Sequence, residues 1–281
     1  LRFQNKTKRL FSKPKVSFDL GPVSFNVKAG ETLAIVGDNS SGKSLLAKLL
    51  VGLENPKSGS VYLNGIELNK SNISVRCHDI KMIFQNSNES LNPGLTLGSI
   101  LDEPLRLNTN LEPQQRSELV ERTLRQVGLM AEHQFFYRHM LSDGQRQRVA
   151  LARALILSPK VIVADEPFAG LDPSVRSQAV NLLMKLQRDL GLGFIFISHN
   201  LGIVRHISDK IIILKNGNNT LVGFGIKDAE SAGKISKMAD GAVVGSAIVQ
   251  LMEENETAPD LILSKVGSLV EEIRVGMDSA Q

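Results

Sequence analysis

Eight residues, Gly37-Asp38-Asn39-Ser40-Ser41-Gly42-Lys43-Ser44, constrain this chain more than any other stretch. They follow an apolar, β-prone run, Thr32-Leu33-Ala34-Ile35-Val36, and lead into Leu45-Leu46-Ala47-Lys48-Leu49-Leu50, which reads as a helix. Strand, Gly-rich loop and helix form the context in which G-x-x-x-x-G-K-[ST] becomes a phosphate-binding loop. Backbone N–H groups of the loop and of the helix N-terminus surround a polyphosphate, and the helix dipole favours its charge. In such a loop Lys43 reaches the β- and γ-phosphates and the Ser44 hydroxyl holds Mg²⁺. Average residue usage yields the bare pattern by chance in about one chain in a hundred of this size. A Gly/Ser-rich turn before an ordinary helix is the poorer alternative. The sequence reads as a nucleotide binder.

Composition frames that loop. A chain of 281 residues, 42% hydrophobic and 22% charged, can bury a full core and suggests about two domains. Its single cysteine, Cys77, excludes an internal disulfide and suits a reducing compartment. No run of ~18 apolar residues occurs and no secretory signal is visible, so no membrane span is expected. The start at Leu1 rather than Met leads us to expect a few residues ahead of it. The net charge of +4 is unevenly spread. Residues 1–20 carry Arg2, Lys6, Lys8, Arg9, Lys13 and Lys15 against Asp19, whereas residues 226–281 carry ten acidic against five basic side chains. The two ends read as different proteins. The basic start reads as a solvated edge in preference to a surface for nucleic acid or an acidic membrane, and no nucleic-acid partner is expected.

Strand and helix signals alternate along the chain. Residues 16–36 alternate and then run apolar, with turns at Gly21-Pro22 and Ala29-Gly30, which predicts a β-rich start. Asn64-Gly65 between Leu63 and Ile66 predicts a hairpin. Residues 79–84 read as a strand ending at Gln85. From about 98 to 158 the pattern is helical, with Leu119, Val120, Leu124, Val127 and Leu129 on one face. Short buried strands at Val161–Ala164 and Phe194–Ile197 bracket an amphipathic helix over 174–190. The fold class is α/β with a mostly parallel sheet.

Two carboxylates, Asp165 and Glu166, follow the first of those strands. Such a strand end lies at the sheet edge where ligands bind. There Asp165 helps hold Mg²⁺, directly or through water, and Glu166 polarises an attacking water. Taken alone, an Asp-Glu pair after a strand is more often a turn or helix start. In Leu141-Ser142-Asp143-Gly144-Gln145, Ser142 and Gln145 make a capping box for a helix from Arg146 to Leu157, again a bland feature alone. The order is what decides. Phosphate loop, Gln85, the 141–145 segment, Asp165-Glu166, Ala169-Gly170-Leu171-Asp172 and Ser198-His199 together resemble the nucleotide-binding subunit of ATP-binding cassette (ABC) transporters.

That resemblance covers about residues 1–217 and implies a P-loop ABC ATPase domain over 1–220. Its parts are a mostly parallel core sheet, an antiparallel β subdomain and a helical subdomain at about 98–158. It implies that Gly37, Asp38, Asn39, Ser40, Ser41, Gly42, Lys43 and Ser44 bind the phosphates of ATP with Mg²⁺. Gln85 links metal and γ-phosphate to a transmembrane partner, Asp165 aids Mg²⁺, Glu166 is the catalytic carboxylate and His199 contacts the γ-phosphate. Ser142, Gly144 and Gln145 contact ATP bound to the opposite subunit, and Asp172 belongs to a dimer-facing loop. An aromatic upstream of the loop usually stacks on adenine; Phe11 is the candidate, with Phe3 and Phe18 as alternatives. His78, His133, His139 and His206 carry no comparable signal and are expected to be structural or solvated.

A narrower resemblance follows from Ser90-Leu91-Asn92-Pro93 and Ile100-Leu101-Asp102-Glu103-Pro104-Leu105, which look like the oligopeptide/dipeptide subgroup. The stretches 105–113 and 154–157 look like Sap-type peptide ATPases, linked to antimicrobial-peptide uptake. The implied protein powers peptide import from the cytoplasmic face of the inner membrane, as a peripheral subunit. Its implied partners are membrane-embedded permease subunits and a second ABC ATPase subunit, in a homodimer or heterodimer. A soluble ABC ATPase acting on ribosomes or DNA is the alternative, although those usually carry two cassettes or a long coiled-coil insert. An inactive fusion product is the third reading.

Three departures stand out. Ser40 replaces a usual Gly and strains a loop that wants permissive φ, Asn86-Ser87 replaces Asp-Pro, and Asp143 replaces Gly. At a helix start the Asp143 carboxylate gains about 0.3–1 kcal/mol from the dipole. A γ-phosphate about 6 Å away at an effective ε near 20 repels it by roughly 3 kcal/mol. Unless Asp143 points outward or pairs with a cation, replacing it by Gly is expected to strengthen ATP-dependent dimerisation. After Gly217 the resemblance stops. Residues 221–226 and 239–249 resemble the last quarter of the tryptophan synthase α-subunit, a TIM barrel whose phosphate loops would include Gly225, Gly245 and Ser246. The match covers only about 221–281, without six strands and both catalytic carboxylates, and two strands close no barrel. The expectation is a functionless, partly ordered C-terminal fragment of a TIM barrel, with Thr220-Leu221-Val222 pairing against Ile211–Leu214.

Overall fold

The computed structural model describes residues 1–9, 12–85, 91–215, 217–223, 242–243 and 259–278. Strands β1 (Phe3–Arg9) and β2 (Ser12–Leu20) pair antiparallel at the start. β3 (Thr32–Gly37) runs apolar into the phosphate loop and α1 (Lys43–Val51). A hairpin of β4 (Tyr62–Leu63) and β5 (Ile66–Glu67) turns at Asn64 and Gly65, both at positive φ as its two-residue turn requires. α2 (Ile73–Asp79) leads into β6 (Ile80–Ile83). The helical stretch is α3 (Leu97–Asn108), α4 (Pro113–Gln126) and α5 (Asp143–Leu155). Then come β7 (Val161–Asp165), α6 (Pro173–Leu190), β8 (Gly193–Ile197), α7 (Leu201–Ile207), β9 (Lys210–Lys215) and β10 (Asn218–Gly223). The tail contributes β11 (Ala242–Val243) and α8 (Pro259–Asp278).

Seven strands form the main sheet in the order β11-β10-β9-β3-β8-β7-β6. The strands from β9 to β6 run parallel, as expected for apolar runs covered on both faces. The register sets Ile35 beside Ile197, Ile197 beside Asp165, and Ala164 beside Ile83. Consequently the loops after β3, β8, β7 and β6 leave from one edge. Alternate residues feed different layers. Leu33 and Ile35 pack with Leu46 and Leu49 of α1, while Ala34 and Val36 pack with Val204 of α7. Phe194 and Phe196 join the helical layer around Leu183 and Leu186. Each such buried side chain contributes about 1.5–3 kcal/mol, so β3 and β8 form a rigid floor under the site.

The expected strands and helices are present, with one departure. β2 ends at Leu20 and residues 21–28 form no strand, although Val23, Phe25 and Val27 alternate inward. The backbone there is engaged elsewhere. Val23 exchanges bonds with Leu1 at 3.0 and 2.7 Å, and the Lys28 N–H donates to the Glu31 carboxylate at 2.7 Å. At the other edge β10 pairs antiparallel with β9, placing Leu221 opposite Ile213 and Val222 opposite Ile212 as the sequence suggests. β11 adds to β10 in parallel, so the tail extends this sheet.

The β9–β10 turn depends on Gly217. Its φ is 82°, and a Cβ there would lie 2.0 Å from the Asp19 carbonyl. Its carbonyl accepts from Gly21 N–H at 2.7 Å and its own N–H donates to Ser41 at 3.1 Å, tying β2, β9 and the phosphate loop together. Gly217→Ala should therefore lower stability by about 1–3 kcal/mol, read as a reduced urea midpoint at unchanged m-value. A midpoint equal to the parent's would show that the turn yields without strain.

Candidate nucleotide site

Gly37 ends β3 at φ 152°, and a side chain there would meet the Leu214 carbonyl of β9 at 2.1 Å. The loop then turns through Ser40 at φ 65° and Gly42 at φ 101°. The strain expected at Ser40 is thus present, since a left-handed residue with a side chain costs about 1–2 kcal/mol. Asp38, Asn39 and Ser40 are exposed, whereas Ser41 and Lys43 are buried. The Lys43 ammonium donates to the Gly37 and Asp38 carbonyls, each at 2.8 Å. The Ser41 hydroxyl is buried without a partner. An anion entering the loop offers the lysine full charge in place of two dipoles, and offers Ser41 an acceptor.

Asp165 closes the floor of the loop. Ser44 hydrogen-bonds its carboxylate, and Asp165 Oδ1 is buried with no partner. Burial pushes this carboxyl up, helped by the neighbouring Glu166 charge and opposed by the Ser44 bond, Lys43 and Lys48. A buried oxygen without a partner beside a serine hydroxyl fits Mg²⁺, a hard cation that takes one or two side chains plus substrate phosphates. Among the described residues no cluster of three or more His, Cys, Asp or Glu offers an all-protein cage. The donor set is that of a metal delivered with phosphate.

Glu166 begins the next loop at φ 47°, with its N–H donating to the Ile197 carbonyl at 3.0 Å. Its carboxylate Oε1 accepts from the His199 backbone N–H at 2.8 Å and meets His199 Nδ1 at 2.7 Å, while Ser198 Oγ lies 3.4 Å from Oε2. The glutamate side chain is 14% exposed and the imidazole 68%. With Nδ1 engaged by the carboxylate, Nε2 is left for an incoming group.

The structure brings Gly37–Ser44, Asp165, Glu166 and His199 to one sheet edge. Gln85 sits exposed just past β6, whose register puts Ile83 beside Ala164. The 142–145 segment meets the start of α6, because a Cβ on Gly144 would come 2.9 Å from Val175. Ser142 caps α5 by accepting from Gln145 N–H at 3.3 Å, and Gln145 Oε1 accepts from Ser142 N–H at 2.9 Å. Asp172 is exposed at the N-cap of α6 and makes no side-chain cap bond. Asp143 forms an ion pair with Arg146, so the repulsion expected at a γ-phosphate is partly neutralised and the gain expected from Asp143→Gly shrinks. That pair was readable from its i, i+3 spacing. The Leu214 carbonyl against Gly37 left no sequence signal, because it is a long-range backbone contact. Phe11 lies outside the described residues. Of its alternatives, Phe3 packs partly buried against the core, and the Phe18 side chain is likewise outside the described residues.

Two family models match separate stretches of the chain, and the second begins at residue 200, ahead of the boundary expected near 221. The ABC transporter family model matches residues 20–169, and the tryptophan synthase alpha chain model matches residues 200–277. The chain is 48% identical over 196 residues to the putrescine export system ATP-binding protein SapF of Escherichia coli (strain K12), covering 70% of this chain and 73% of that protein. The same values hold for the peptide transport system ATP-binding protein SapF of Salmonella typhimurium (strain LT2). The dipeptide transport ATP-binding protein DppF of Haemophilus influenzae is 46% identical over 213 residues, 75% of this chain and 65% of its own. Among solved structures, the dimeric ATP-binding cassette MJ0796 with ADP and Pi superposes at TM-score 0.65 with 29% identity, covering 77% of this chain and 94% of that one. The cbiO1 protein of Clostridium perfringens gives 0.67 with 28% identity, covering 77% and 84%.

Asp165 supplies a test with a definite sign. A carboxyl raised by folding contributes stability that is fully present below the ordinary carboxylate value and lost as pH rises through the raised one. At pH about 8 the empty chain bears that cost. Asp165→Asn should therefore melt at or above the parent temperature without Mg²⁺, yet lose the added stabilisation that Mg²⁺ with nucleotide brings to the parent. A lower melting temperature for the empty variant would mean that the carboxylate is already compensated.

Proposed function

Because this chain belongs to the ABC transporter family, we propose that it binds and hydrolyses ATP to power peptide import, from the cytoplasmic face of the inner membrane. The single observation that carries this reading is the sheet edge gathering the phosphate loop, Asp165, Glu166 and His199. Peptide cargo is supported by relatives named for peptide and dipeptide transport. An equally similar relative named for putrescine export makes a small polyamine the second reading. Cargo is selected by other subunits, so transport by the assembled complex distinguishes the two.

In this reading Gly37–Ser44 cradle the triphosphate, and Lys43 exchanges the Gly37 and Asp38 carbonyls for β- and γ-phosphate oxygens. Ser44, Asp165 and Gln85 would hold Mg²⁺, which when bound neutralises charge on the β- and γ-phosphates. Glu166, fixed by the His199 N–H and by Ser198, orients and polarises the attacking water, and His199 Nε2 faces the γ-phosphate. Ser142, Gly144, Gln145 and Asp172 gather around the start of α6 and face ATP held by a second ATPase subunit, in a homodimer or heterodimer. The dimeric state of one similar structure supports that arrangement.

Permease subunits need a docking surface beside Gln85. Phe84, Leu95, Phe135, Tyr137 and Met140 are all exposed. The Thr96–Tyr137 bridge and the Leu97 N–H donating to the Phe136 carbonyl at 2.9 Å tie the last four into one region. An exposed apolar cluster of this kind suits a protein interface. We read residues 1–220 as the ATPase domain and 221–281 as an appended fragment; the tryptophan synthase alpha chain match over 200–277 supports a likeness for that fragment and extends ahead of it.

Glu166→Gln should keep Mg-ATP affinity and slow hydrolysis by about 10²–10⁴-fold, because the cradle survives while the water loses its polarising carboxylate. Parent-like phosphate release would remove Glu166 from this role. Deleting residues 227–281 keeps β10 against β9 and should leave ATP affinity, measured by nucleotide titration, unchanged. A large loss in a folded truncation would show that β11 and α8 are integral to the ATPase domain.

A further inference from the structure

α6 begins at Pro173 with Asp172 as its N-cap, yet the aspartate side chain makes no cap bond. The start of the helix is secured instead from one turn inside it. Arg176 Nη2 donates to the Leu171 carbonyl at 2.8 Å, and the Arg176 N–H donates to the Asp172 carbonyl at 2.8 Å. From Leu171 the bonds continue backwards, with its N–H to Phe168 at 3.4 Å and the Ala169 N–H to the Glu166 carbonyl at 3.1 Å. Through Leu171 these hydrogen bonds connect the guanidinium of α6 with the backbone of Glu166. Glu166 sits at φ 47°, a conformation that persists only where the surroundings impose it.

A second observation lies behind the same pair. Arg176 Nε is buried and has no partner. The side chain lines a cavity of about 110 Å³ together with Glu166, Ser198, His199 and Asn200. A planar, permanently charged fork suits a position that must hold a backbone carbonyl from inside the helix.

We infer that Arg176 is a positioning residue for hydrolysis, which holds the loop over 166–172 so that the Glu166 carboxylate stays on His199 and moves together with Asp172. This rests on the hydrolytic role given to Glu166 above. Arg176 acts through the backbone of the 166–172 loop, so its removal acts on turnover and spares binding.

The test uses the full chain with Mg-ATP and compares Arg176→Met, Arg176→Lys and Glu166→Gln, with melting curves for each. Arg176→Met should lower kcat by about tenfold or more at unchanged KM and unchanged ATP affinity. Arg176→Lys keeps a donor for the Leu171 carbonyl and should recover most of that loss. In single-turnover measurements Arg176→Met should add little to Glu166→Gln, because both act on one group. Should Arg176→Met fail to fold, Arg176→Leu replaces it, likewise removing the donor to the Leu171 carbonyl, with the same expected loss in kcat. Parent-like kcat in the folded variant, equal losses in kcat and ATP affinity, or a full additive loss on Glu166→Gln would each overturn the inference. Parent-like hydrolysis by Glu166→Gln alone would instead sink the role of the glutamate on which it rests.

Discussion

A buried carboxylate with one oxygen left without a partner governs the chemistry of this molecule. Asp165 ends a strand flanked on both sides by parallel neighbours, so the chain cannot swing it into water without breaking the ladder. Ser44, Lys43 and Lys48 compensate part of its charge, and burial beside Glu166 leaves the rest uncompensated. A divalent cation arriving with phosphate would remove that deficit. The geometry that weakens the empty chain at this point would then strengthen its hold on ligand.

Other parts of the edge follow the same logic. Ser40 and Glu166 hold left-handed backbone, and the Ser41 hydroxyl is buried without a bond. Each is unfavourable locally and is imposed by a floor of β3 and β8 residues that are almost wholly buried. By contrast the start of α5, which faces outward, is fully satisfied by its capping box and by the Asp143–Arg146 pair. Deficits collect where the triphosphate would sit, and satisfied caps collect where a second subunit would approach. This division fits a site assembled from two halves.

The two ends of the sheet differ in character. β9 and β10 close the ATPase sheet in an antiparallel turn locked by Gly217 against Asp19 and Ser41. The tryptophan synthase alpha chain model matches from residue 200, across this turn, and β11 pairs with β10 in parallel. Strand addition makes few demands on its partner, since the bonds are backbone to backbone. The two residues of β11 can therefore join this edge without a specific side-chain match.

Much of the site was legible before any coordinates, because its signals are local. The phosphate loop needs glycine, lysine and serine at fixed spacing, the capping box needs Ser142 and Gln145 three apart, and an apolar run ending in Asp165 and Glu166 declares a strand end. The hairpin at Asn64-Gly65 and the pairing of Val222 with Ile212 followed from turn chemistry in the same way. Residues 21–28 carry the pattern of a strand and form none, because Leu1 and Glu31 claim backbone groups there from outside the local pattern. The contacts of Gly37 with Leu214, of Gly217 with Asp19 and of Arg176 with Leu171 were equally silent. By itself, then, the sequence determined the order of elements and the chemical groups at their ends, since both depend on spacings of a few residues. Tertiary structure alone decided which strand lies beside which, and so which carboxylate is buried and which backbone is strained, because burial and close approach arise only when distant segments meet.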